Sequence, residues 1–431
     1  MSTTENYIEK SESGLTYHVS RSRLEGTVQL SGAKNSVLKL LPASLLTAEP
    51  VTLTNFPTTL LDAQVNVGML RALGKKCVER DGAIHISQET PPPGELNWPH
   101  RSIRITLLIL GALLARTGYG AVPVPGGCKL GDRKYDHHEM VLTKLGARVF
   151  VDDQDRLAAE APNGLEGTDI YLPIRSTGAT ENAIIAGSLA RGVTRVWNPH
   201  IRPEITDLCE FLRKMGVPII VHGQEHIEVH GQEGLSGTKH DIIADNMEAL
   251  TWLVGSVVTG GDIEFPSFPF ADLEVPLIQL RESGAKFYRG DQSLIVRGGR
   301  PLPIEISTGP YPGINSDMQP LFAVYGALAK GISKIVDLRF PGRYNYAEEL
   351  VKMGGHCYNE DNLLVIEGGR PLTGAGVRAT DLRAGIALTL AGLTADGETV
   401  ITDAWQVERG YDRFVEKLQS LGGNIRTTQK A

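Results

Sequence analysis

Apolar and polar positions along the chain repeat in a regular order that predicts helix, strand, helix and hairpin. Amphipathic segments end six times at a glycine, and the intervals between these glycines are 72, 70, 68, 70 and 68 residues. Glycine at the end of a helix reaches the left-handed conformation without the steric penalty of a Cβ atom. The pattern therefore predicts six similar units of about 70 residues, whose helices end at Gly74, Gly146, Gly216, Gly284, Gly354 and Gly422.

Each of these glycines is followed by a run of residues that predicts a short strand. Lys76–Ile86 and Lys286–Val296 each contain two such runs around turn residues, which is typical of a β-hairpin. The last unit has room for only one strand after Gly422, whereas an extra strand pair, at Thr16–Val19 and Thr27–Leu30, precedes the first helix. We therefore expect the N-terminal strands to complete the C-terminal group of units.

The six units divide into two groups of three, so the sequence predicts an α/β protein with two domains. The first domain is expected to span residues 34–242, and the second residues 1–33 together with 243–431. The chain would cross between the domains twice, and the two groups would form a clamp around a cleft. A continuous solenoid is the alternative, but a solenoid would need no closure by the N-terminal strands.

Composition and charge narrow the classes of function. The chain has 431 residues and a net charge of -7, and no run of basic residues suggests a surface for nucleic acid. No long apolar stretch could cross a bilayer, and residues 1–13 are polar and acidic, unlike a secretory signal. The four cysteines are scattered and suggest neither a disulfide framework nor a zinc motif. We expect a cytoplasmic protein without a nucleic-acid partner or membrane insertion.

Lys34 and Asn35 stand at the beginning of an apolar helix. The free N–H groups and the dipole at a helix start favour anions, so an anion-binding corner is one interpretation of this segment. The segment by itself favours the simpler alternative, an exposed lysine at a helix start.

A glycine-rich loop carries Cys128 between Gly127 and Lys129. The positive charges of Lys129 and Arg133 would favour the thiolate of this cysteine, which suggests a proton donor or a nucleophile. An unreactive loop thiol explains the loop alone equally well. No histidine paired with asparagine or aspartate adjoins the loop, so a cysteine protease gains little support.

Two further segments bring charged residues to predicted helix starts. Asp317 precedes a helix predicted at Pro320–Ala329, where capping of the N-terminus is the ordinary role of an aspartate. Asp381 and Arg383 take the same place in a later segment, and Arg409 lies beside the final helix. None of these positions alone identifies a reaction.

Taken together, the segments resemble those of one family, the enolpyruvyl transferases. The matching motifs are G-A-K-N, G-G-C-x-x-G-x-R, D-M-Q, A-T-D-L-R-A and R-G-Y, in the family's order and at its spacing, and the resemblance extends from about Tyr17 to Thr428. It implies an inside-out α/β barrel of two domains built from six units. It also implies transfer of the enolpyruvyl group of phosphoenolpyruvate to the 3-hydroxyl of UDP-N-acetylglucosamine with release of phosphate, the first committed step of peptidoglycan synthesis.

The resemblance implies a role for each matching residue and requires neither a metal nor a cofactor. Cys128 would protonate phosphoenolpyruvate, and Asp317 would handle the proton of the 3-hydroxyl, with Lys34 and Arg409 as the other catalytic residues. The residues expected to bind phosphoenolpyruvate are Lys34, Arg104, Arg133, Arg343 and Arg409, supported by Asp381 and Arg383. The residues expected to bind the acceptor are Asn35, Asp136, His138, Ser176, Thr177, Gly178 and Asp317.

Three positions depart from the family pattern near the expected acceptor site. Lys134 replaces a proline, Ile174 stands where a lysine is common, and Asn246 replaces an arginine. Lost cations would weaken the binding of a diphosphate, so a different uridine nucleotide, as in specialised metabolism, is an alternative acceptor. The related shikimate-pathway synthase would lack the G-G-C loop, and a non-catalytic binding descendant would have lost some catalytic residues, of which none is missing.

Overall fold

The structure is a computed structural model that describes residues 14–100, 103–124 and 135–429. Cys128, Arg133 and Lys134 lie outside the described residues. The described residues fall into two compact units. The C-terminal unit contains those of Met1–Ser31, Thr59–Leu61 and Ala244–Ala431, and the N-terminal unit contains those of Gly32–Thr58 and Asp62–Ile243.

Helices and strands alternate along the whole described chain, which confirms the predicted α/β class. The strands are β1 (Leu15–Ser20), β2 (Glu25–Thr27), β3 (Val51–Thr54), β4 (Lys75–Arg80), β5 (Ala83–Gln88), β6 (Tyr119–Pro123), β7 (Arg148–Val151), β8 (Arg156–Glu160), β9 (Asp169–Tyr171), β10 (Val193–Trp197), β11 (Ile219–His222), β12 (His226–His230), β13 (Thr238–Asp241), β14 (Asp262–Phe265), β15 (Ala285–Arg289), β16 (Leu294–Gly299), β17 (Glu305–Ser307), β18 (Gly331–Val336), β19 (His356–Glu360), β20 (Leu363–Gly368), β21 (Gly376–Arg378), β22 (Glu398–Thr402) and β23 (Asn424–Gln429). The helices are α1 (Lys34–Ala43), α2 (Leu61–Ala72), α3 (Thr106–Thr117), α4 (Asp136–Lys144), α5 (Thr177–Gly187), α6 (Pro203–Lys214), α7 (Asn246–Thr259), α8 (Glu274–Glu282), α9 (Gln319–Leu328), α10 (Asn345–Lys352), α11 (Leu382–Gly392), α12 (Trp405–Glu408) and α13 (Phe414–Ser420).

The strands form small sheets that share one plan. In the N-terminal unit the strand orders are β13-β3-β5-β4, β11-β12-β10-β9 and β6-β8-β7. In the C-terminal unit they are β15-β16-β14-β2, β17-β18-β20-β19 and β21-β22-β1-β23. Each four-stranded sheet combines antiparallel pairs with one outer strand that runs parallel to its neighbour. The sheets are therefore mixed.

The predicted hairpins are present. β4 pairs with β5, and β15 pairs with β16, both antiparallel. β1 lies between β22 and β23, so the N-terminal strand supplies the partner that the sequence lacks after Gly422. The second N-terminal strand is shifted, because β2 ends at Thr27 instead of beginning there.

The glycines that punctuate the sequence adopt the conformation that their pattern predicts. Gly74, Gly146, Gly216, Gly284, Gly354 and Gly422 all have φ between 84° and 101°. A residue with a Cβ atom is strained in this left-handed region. The local rule of a glycine after each of these helices thus holds six times in the chain.

The centre of each unit is made of apolar helices. In the C-terminal unit, α7, α9 and α11 contact one another, and every residue of α11 is buried. In the N-terminal unit, α3 contacts both α1 and α5, and residues 106–114 of α3 are buried. These helices carry apolar residues on all sides because sheets and other helices surround them. In the described part of the chain, no helix has the length and apolar character that a membrane span requires.

Candidate active site

In the C-terminal unit, four of the expected site residues lie together around one carboxylate. Arg343 Nη1 is 2.8 Å from Asp317 Oδ1, and Arg383 Nη2 is 3.5 Å from Asp317 Oδ2. Arg343 Nη2 also lies 3.7 Å from Asp381 Oδ2. We call these residues, Asp317, Arg343, Asp381 and Arg383, the Asp317 cluster. It places two carboxylates opposite two guanidinium groups.

The local sequence explains how Asp317 reaches the cluster. Its N–H group donates to Asn315 Oδ1, which forms a turn just before α9. The helix begins at Gln319 after Met318, and no side chain caps it. The ordinary role expected for Asp317, capping of this helix, is therefore wrong, because its carboxylate binds arginines instead. Asp381 does cap a helix, since its side chain accepts from the N–H groups of Arg383 and Ala384.

Burial and charge keep the two arginines in their protonated form. Burial alone would lower the pKa of Arg343, but the charges of Asp317 and Asp381 outweigh it and raise the pKa. The pKa of Arg383 is also raised against the effect of burial, by the Tyr411 hydroxyl and by Asp317. Arg383 Nη1 donates to Tyr411 Oη at 3.2 Å. The cluster is thus a fixed cationic site with one carboxylate at its centre.

Two residues that the sequence analysis did not single out hold this arrangement. Tyr411 contacts Arg383 and lies 2.8 Å from Thr251 Oγ1 through its hydroxyl group. Tyr411 belongs to the R-G-Y motif, so the motif was a signal for it. Arg409, two residues earlier, is 7% exposed and donates from Nη1 to Gln406 Oε1.

In the N-terminal unit, Lys34 is buried at the start of α1 and pairs with an aspartate. Its ammonium lies 2.8 Å from Asp62 Oδ2, and the two side chains are 10% and 5% exposed. The interpretation of Lys34 as an exposed helix-start lysine is therefore wrong, because α2 brings Asp62 against it. No side chain caps α1 at Ala33. Asn35 is half-buried in the first turn of the same helix.

A buried polar network supports α1 behind Lys34. The hydroxyl of Ser36 donates to one carboxylate oxygen of Asp207, and His240 Nε2 lies 2.8 Å from the other. Lys214 Nζ is 3.2 Å from His240 Nδ1. Because Ser36 faces Asp207, the network fixes the rotation of α1 and therefore the direction of Lys34 and Asn35.

Some of the expected acceptor residues also come together in the N-terminal unit. His138 is buried, and its Nδ1 accepts from Asn182 Nδ2 at 3.2 Å. Burial, together with the charges of Arg104 and His137, lowers the pKa of His138 to about 3, so its ring is neutral. A Cβ atom at Gly178 would lie 2.8 Å from His138 Nε2. Gly178 therefore allows the start of α5 to approach the imidazole closely.

The remaining acceptor candidates lie at the ends of α4 and α5. Ser176 caps α5 by accepting from the N–H of Ala179 at 3.4 Å. Thr177 Oγ1 lies 2.8 Å from Nδ1 of His200, a residue that the sequence analysis missed and for which it offered no signal. Asp136 is the first residue of α4 and is exposed. Burial lowers the pKa of Arg104, which lies near His138 and not in the Asp317 cluster.

Three of the four cysteines have raised thiol pKa values. Burial raises the pKa of Cys77 and Cys209 to about 12 and that of Cys357 to about 11. The thiolate is the reactive form of cysteine. These three residues are therefore poor nucleophiles at neutral pH. The expected roles of Cys128 and Arg133 concern residues outside the described part of the chain.

Solved structures share this fold. The enolpyruvyl transferase NikO from Streptomyces tendae matches with a TM-score of 0.88 and 25% sequence identity, over 97% of this chain and 100% of that one. An EPSP synthase from Acinetobacter baumannii matches with a TM-score of 0.75 and 17% identity, over 96% of this chain and 100% of that one. The fold is thus that of the enolpyruvyl transferases.

Sequence comparison gives the family. The profile of EPSP synthase (3-phosphoshikimate 1-carboxyvinyltransferase) matches residues 19–418, and the chain belongs to this family. A UDP-N-acetylglucosamine 1-carboxyvinyltransferase of Pasteurella multocida is 40% identical over 413 residues, which is 94% of this chain and 96% of the relative. A UDP-N-acetylglucosamine 1-carboxyvinyltransferase of Zymomonas mobilis is 39% identical over 416 residues, with the same coverage. The resemblance to enolpyruvyl transferases seen in the sequence motifs is confirmed.

Proposed function

We propose that this chain transfers the enolpyruvyl group of phosphoenolpyruvate to the 3-hydroxyl of UDP-N-acetylglucosamine and releases phosphate, as the first committed step of peptidoglycan synthesis. The observation that carries the proposal is the 40% identity to a UDP-N-acetylglucosamine 1-carboxyvinyltransferase over nearly the whole length of both chains. The Asp317 cluster supports it, because an alcohol that attacks phosphoenolpyruvate needs a base and cations nearby.

The proposed reaction is an addition followed by an elimination. Cys128 would donate a proton to the methylene carbon of phosphoenolpyruvate while the 3-hydroxyl oxygen attacks C2. Asp317 would accept the hydroxyl proton. Loss of one proton from the new methyl group then expels phosphate, reforms the double bond and leaves an enolpyruvyl ether.

The cations have separate proposed tasks. Lys34, Arg104, Arg133, Arg343 and Arg409 would bind the carboxylate and phosphate of phosphoenolpyruvate. Asp62 is expected to orient the Lys34 ammonium, since the two groups form a buried ion pair. Asp381 and Arg383 would hold Arg343 and Asp317 in place, in keeping with their contacts in the cluster.

The acceptor would be bound by the remaining polar residues. His138 is expected to offer a neutral ring, because its pKa of about 3 lies far below physiological pH. The set proposed to bind the nucleotide sugar comprises Asn35, Asp136, His138, Ser176, Thr177, Gly178 and Asp317.

A second candidate function is enolpyruvyl transfer to a different uridine nucleotide. The observation that favours it is Ile174, whose side chain is 42% exposed at a position where a lysine is common in the family. An exposed apolar residue gives no cationic partner to a diphosphate. A nucleotide with fewer phosphates would lose less from this replacement than UDP-N-acetylglucosamine.

Side-by-side phosphate release distinguishes these functions. The purified chain is incubated with phosphoenolpyruvate and, in separate reactions, UDP-N-acetylglucosamine, UMP or shikimate 3-phosphate. We expect kcat/KM for UDP-N-acetylglucosamine to exceed the others by about 100-fold or more, a difference of about 2.7 kcal/mol in transition-state binding. Preference for UMP would establish the second candidate. Preference for shikimate 3-phosphate, or no release with any acceptor, would reject both.

We also propose a cytoplasmic protein whose partners are its small-molecule substrates, phosphoenolpyruvate and a nucleotide sugar, without nucleic acid. The net charge of -7 supports the last point, because nucleic acid is itself a polyanion.

The six units of the sequence are proposed to build two inside-out barrels, with helices inside and sheets outside. The shared plan of the sheets supports this, as does an isolated parallel bridge between Glu95 and Ala121 that adds an outer partner to β6. For the domains we propose the boundaries 34–242 and 1–33 plus 243–431. The hydrogen bond from Ala33 N to Ile243 O lies in one unit and that from Asp245 N to Ser31 O in the other.

A further inference from the structure

One face of a sheet in the N-terminal unit carries a row of four stacked rings. Tyr171 of β9 pairs in register with Trp197 of β10, Trp197 with His226 of β12, and His226 with His222 of β11. The ring centroids of Trp197 and His226 are 4.3 Å apart, and those of His226 and His222 are 4.2 Å apart. The stacking therefore holds two imidazole rings side by side, nearly parallel.

A carboxylate stands next to these imidazoles on the same face. Glu228 follows His226 by two residues on β12, and strand residues two apart point to the same side. His226 Nε2 lies 3.7 Å from Glu228 Oε1, which is too long for a hydrogen bond. One donor atom from each of His222, His226 and Glu228 lies within 4.8 Å of the others.

The histidine nitrogens around Glu228 are not used by the fold. Among the described residues, His226 Nδ1 and His230 Nε2 are buried and have no hydrogen-bond partner. His230 Nε2 lies 3.6 Å from Glu228 Oε2. Buried polar atoms normally have a partner, so these two nitrogens indicate a ligand that satisfies them.

We propose that His222, His226 and Glu228 bind a divalent transition-metal ion such as Zn²⁺, with His230 close enough to complete the site. Ligands about 2.1 Å from a tetrahedral zinc ion are about 3.4 Å from one another. Small rotations of exposed His222 would bring the donor atoms from within 4.8 Å to that spacing. Two imidazoles and one carboxylate suit zinc and its neighbours in the first transition row, whereas Mg²⁺ and Ca²⁺ prefer oxygen ligands.

Arg195 determines the state of the carboxylate. Its Nε donates to Glu228 Oε1 at 2.9 Å, which leaves Oε2 for an ion. Hydrogen bonding by Arg195 is the main cause that lowers the pKa of Glu228, so this ligand is ionised. The positive guanidinium also repels a cation. We therefore expect a dissociation constant for Zn²⁺ in the micromolar range rather than the nanomolar range.

The test is Zn²⁺ titration of the untagged, full-length protein by calorimetry. His222→Ala and His226→Ala should each weaken binding about tenfold or more. The matched control is His356→Ala, because His356 is also a strand histidine paired across a hairpin with a glutamate, Glu367, at 2.6 Å. This control should change the affinity less than about twofold.

A second measurement uses the stacked tryptophan as a local probe. Co²⁺ bound at this site would quench the fluorescence of Trp197, whose ring stacks directly on His226. Trp197→Phe should therefore remove most of the quenching, and His226→Ala should do the same. The proposal is overturned if the wild-type protein binds no Zn²⁺ below about 100 µM, or if His226→Ala binds it as tightly as the His356→Ala control.

Discussion

Arg343 donates a hydrogen bond of 2.8 Å from Nη1 to Oδ1 of Asp317. The second oxygen of the same carboxylate faces Arg383 at 3.5 Å. Arg343 and Arg383 are 9% and 4% exposed, whereas the Asp317 side chain is 34% exposed. The arginines therefore orient the carboxylate, and its exposed side is open to a substrate hydroxyl.

Replacing Asp317 with asparagine tests whether the carboxylate acts on a proton. Asp317→Asn keeps the shape of the side chain but removes the charge and the ability to accept a proton. If Asp317 is the base, kcat should fall by about 100-fold or more. Stability should fall as well, because two buried guanidinium groups lose a counter-charge. Turnover and urea unfolding are therefore measured on the same preparations.

Asp381→Asn is the matched control for this variant. It also removes a negative charge beside Arg343, but an asparagine can still cap α11. We expect a much smaller loss of kcat from Asp381→Asn than from Asp317→Asn. Wild-type turnover in folded Asp317→Asn would remove Asp317 from the proposed mechanism.

Cys128→Ser should abolish or strongly reduce turnover, and it should prevent covalent labelling by the epoxide antibiotic that attacks the cysteine of this family. The other cysteines should not replace it, since burial raises their thiol pKa values to between about 11 and about 12. Labelling is followed by mass spectrometry of the intact chain. Cys357→Ser is the control and should label like the wild type. Unchanged labelling of Cys128→Ser would place the reactive thiol elsewhere.

Gly178→Ala should raise KM for the acceptor by about tenfold with a smaller change in kcat, which corresponds to about 1.4 kcal/mol of lost binding. The reason is steric, because the new Cβ atom would lie 2.8 Å from His138 Nε2 and displace the ring. Steady-state kinetics with varied acceptor concentration measure the effect.

A double-mutant cycle shows whether this effect acts through the imidazole. In a His138→Ala background the alanine at position 178 has no ring to displace, so the second change should add little. Fully additive effects of the two substitutions would contradict the proposed coupling between Gly178 and His138.

Glu181→Gln should change how stability depends on pH. Glu181 is 3% exposed, and burial raises its pKa from 4.5 to about 7, although Lys39 lies 3.6 Å away. Between pH 4.5 and pH 7 the folded chain holds a proton at Glu181 that the unfolded chain has released. The free energy of unfolding contributed by this group therefore falls as pH rises, by about 1.4 kcal/mol per pH unit.

The glutamine variant has no such proton to lose, so its stability advantage over the wild type should grow through this window and level off above pH 7. Urea unfolding at several pH values measures the difference. Glu166→Gln, at an exposed glutamate paired with Arg191, should follow the wild-type curve. Parallel curves for Glu181→Gln and the wild type would show that Glu181 titrates normally.

The sequence by itself predicts those features that depend on neighbouring residues. The left-handed glycines, the hairpins at β4–β5 and β15–β16, and the α/β class are all confirmed. The motifs also identified the family, because five short segments kept their order and spacing. Backbone conformation after a helix is decided by one residue and its steric limits, so a local pattern is sufficient.

Only the tertiary structure decided which charged groups meet. Lys34 reads as an exposed lysine in its own segment, but α2 places Asp62 2.8 Å from it. Asp317 reads as a helix cap, but Arg343 and Arg383 bind its carboxylate from segments that lie 26 and 66 residues further along the chain. His222, His226 and Glu228 match no common metal motif and meet only through the register of β11 and β12. Such contacts depend on packing between distant segments, which no local pattern of the chain contains.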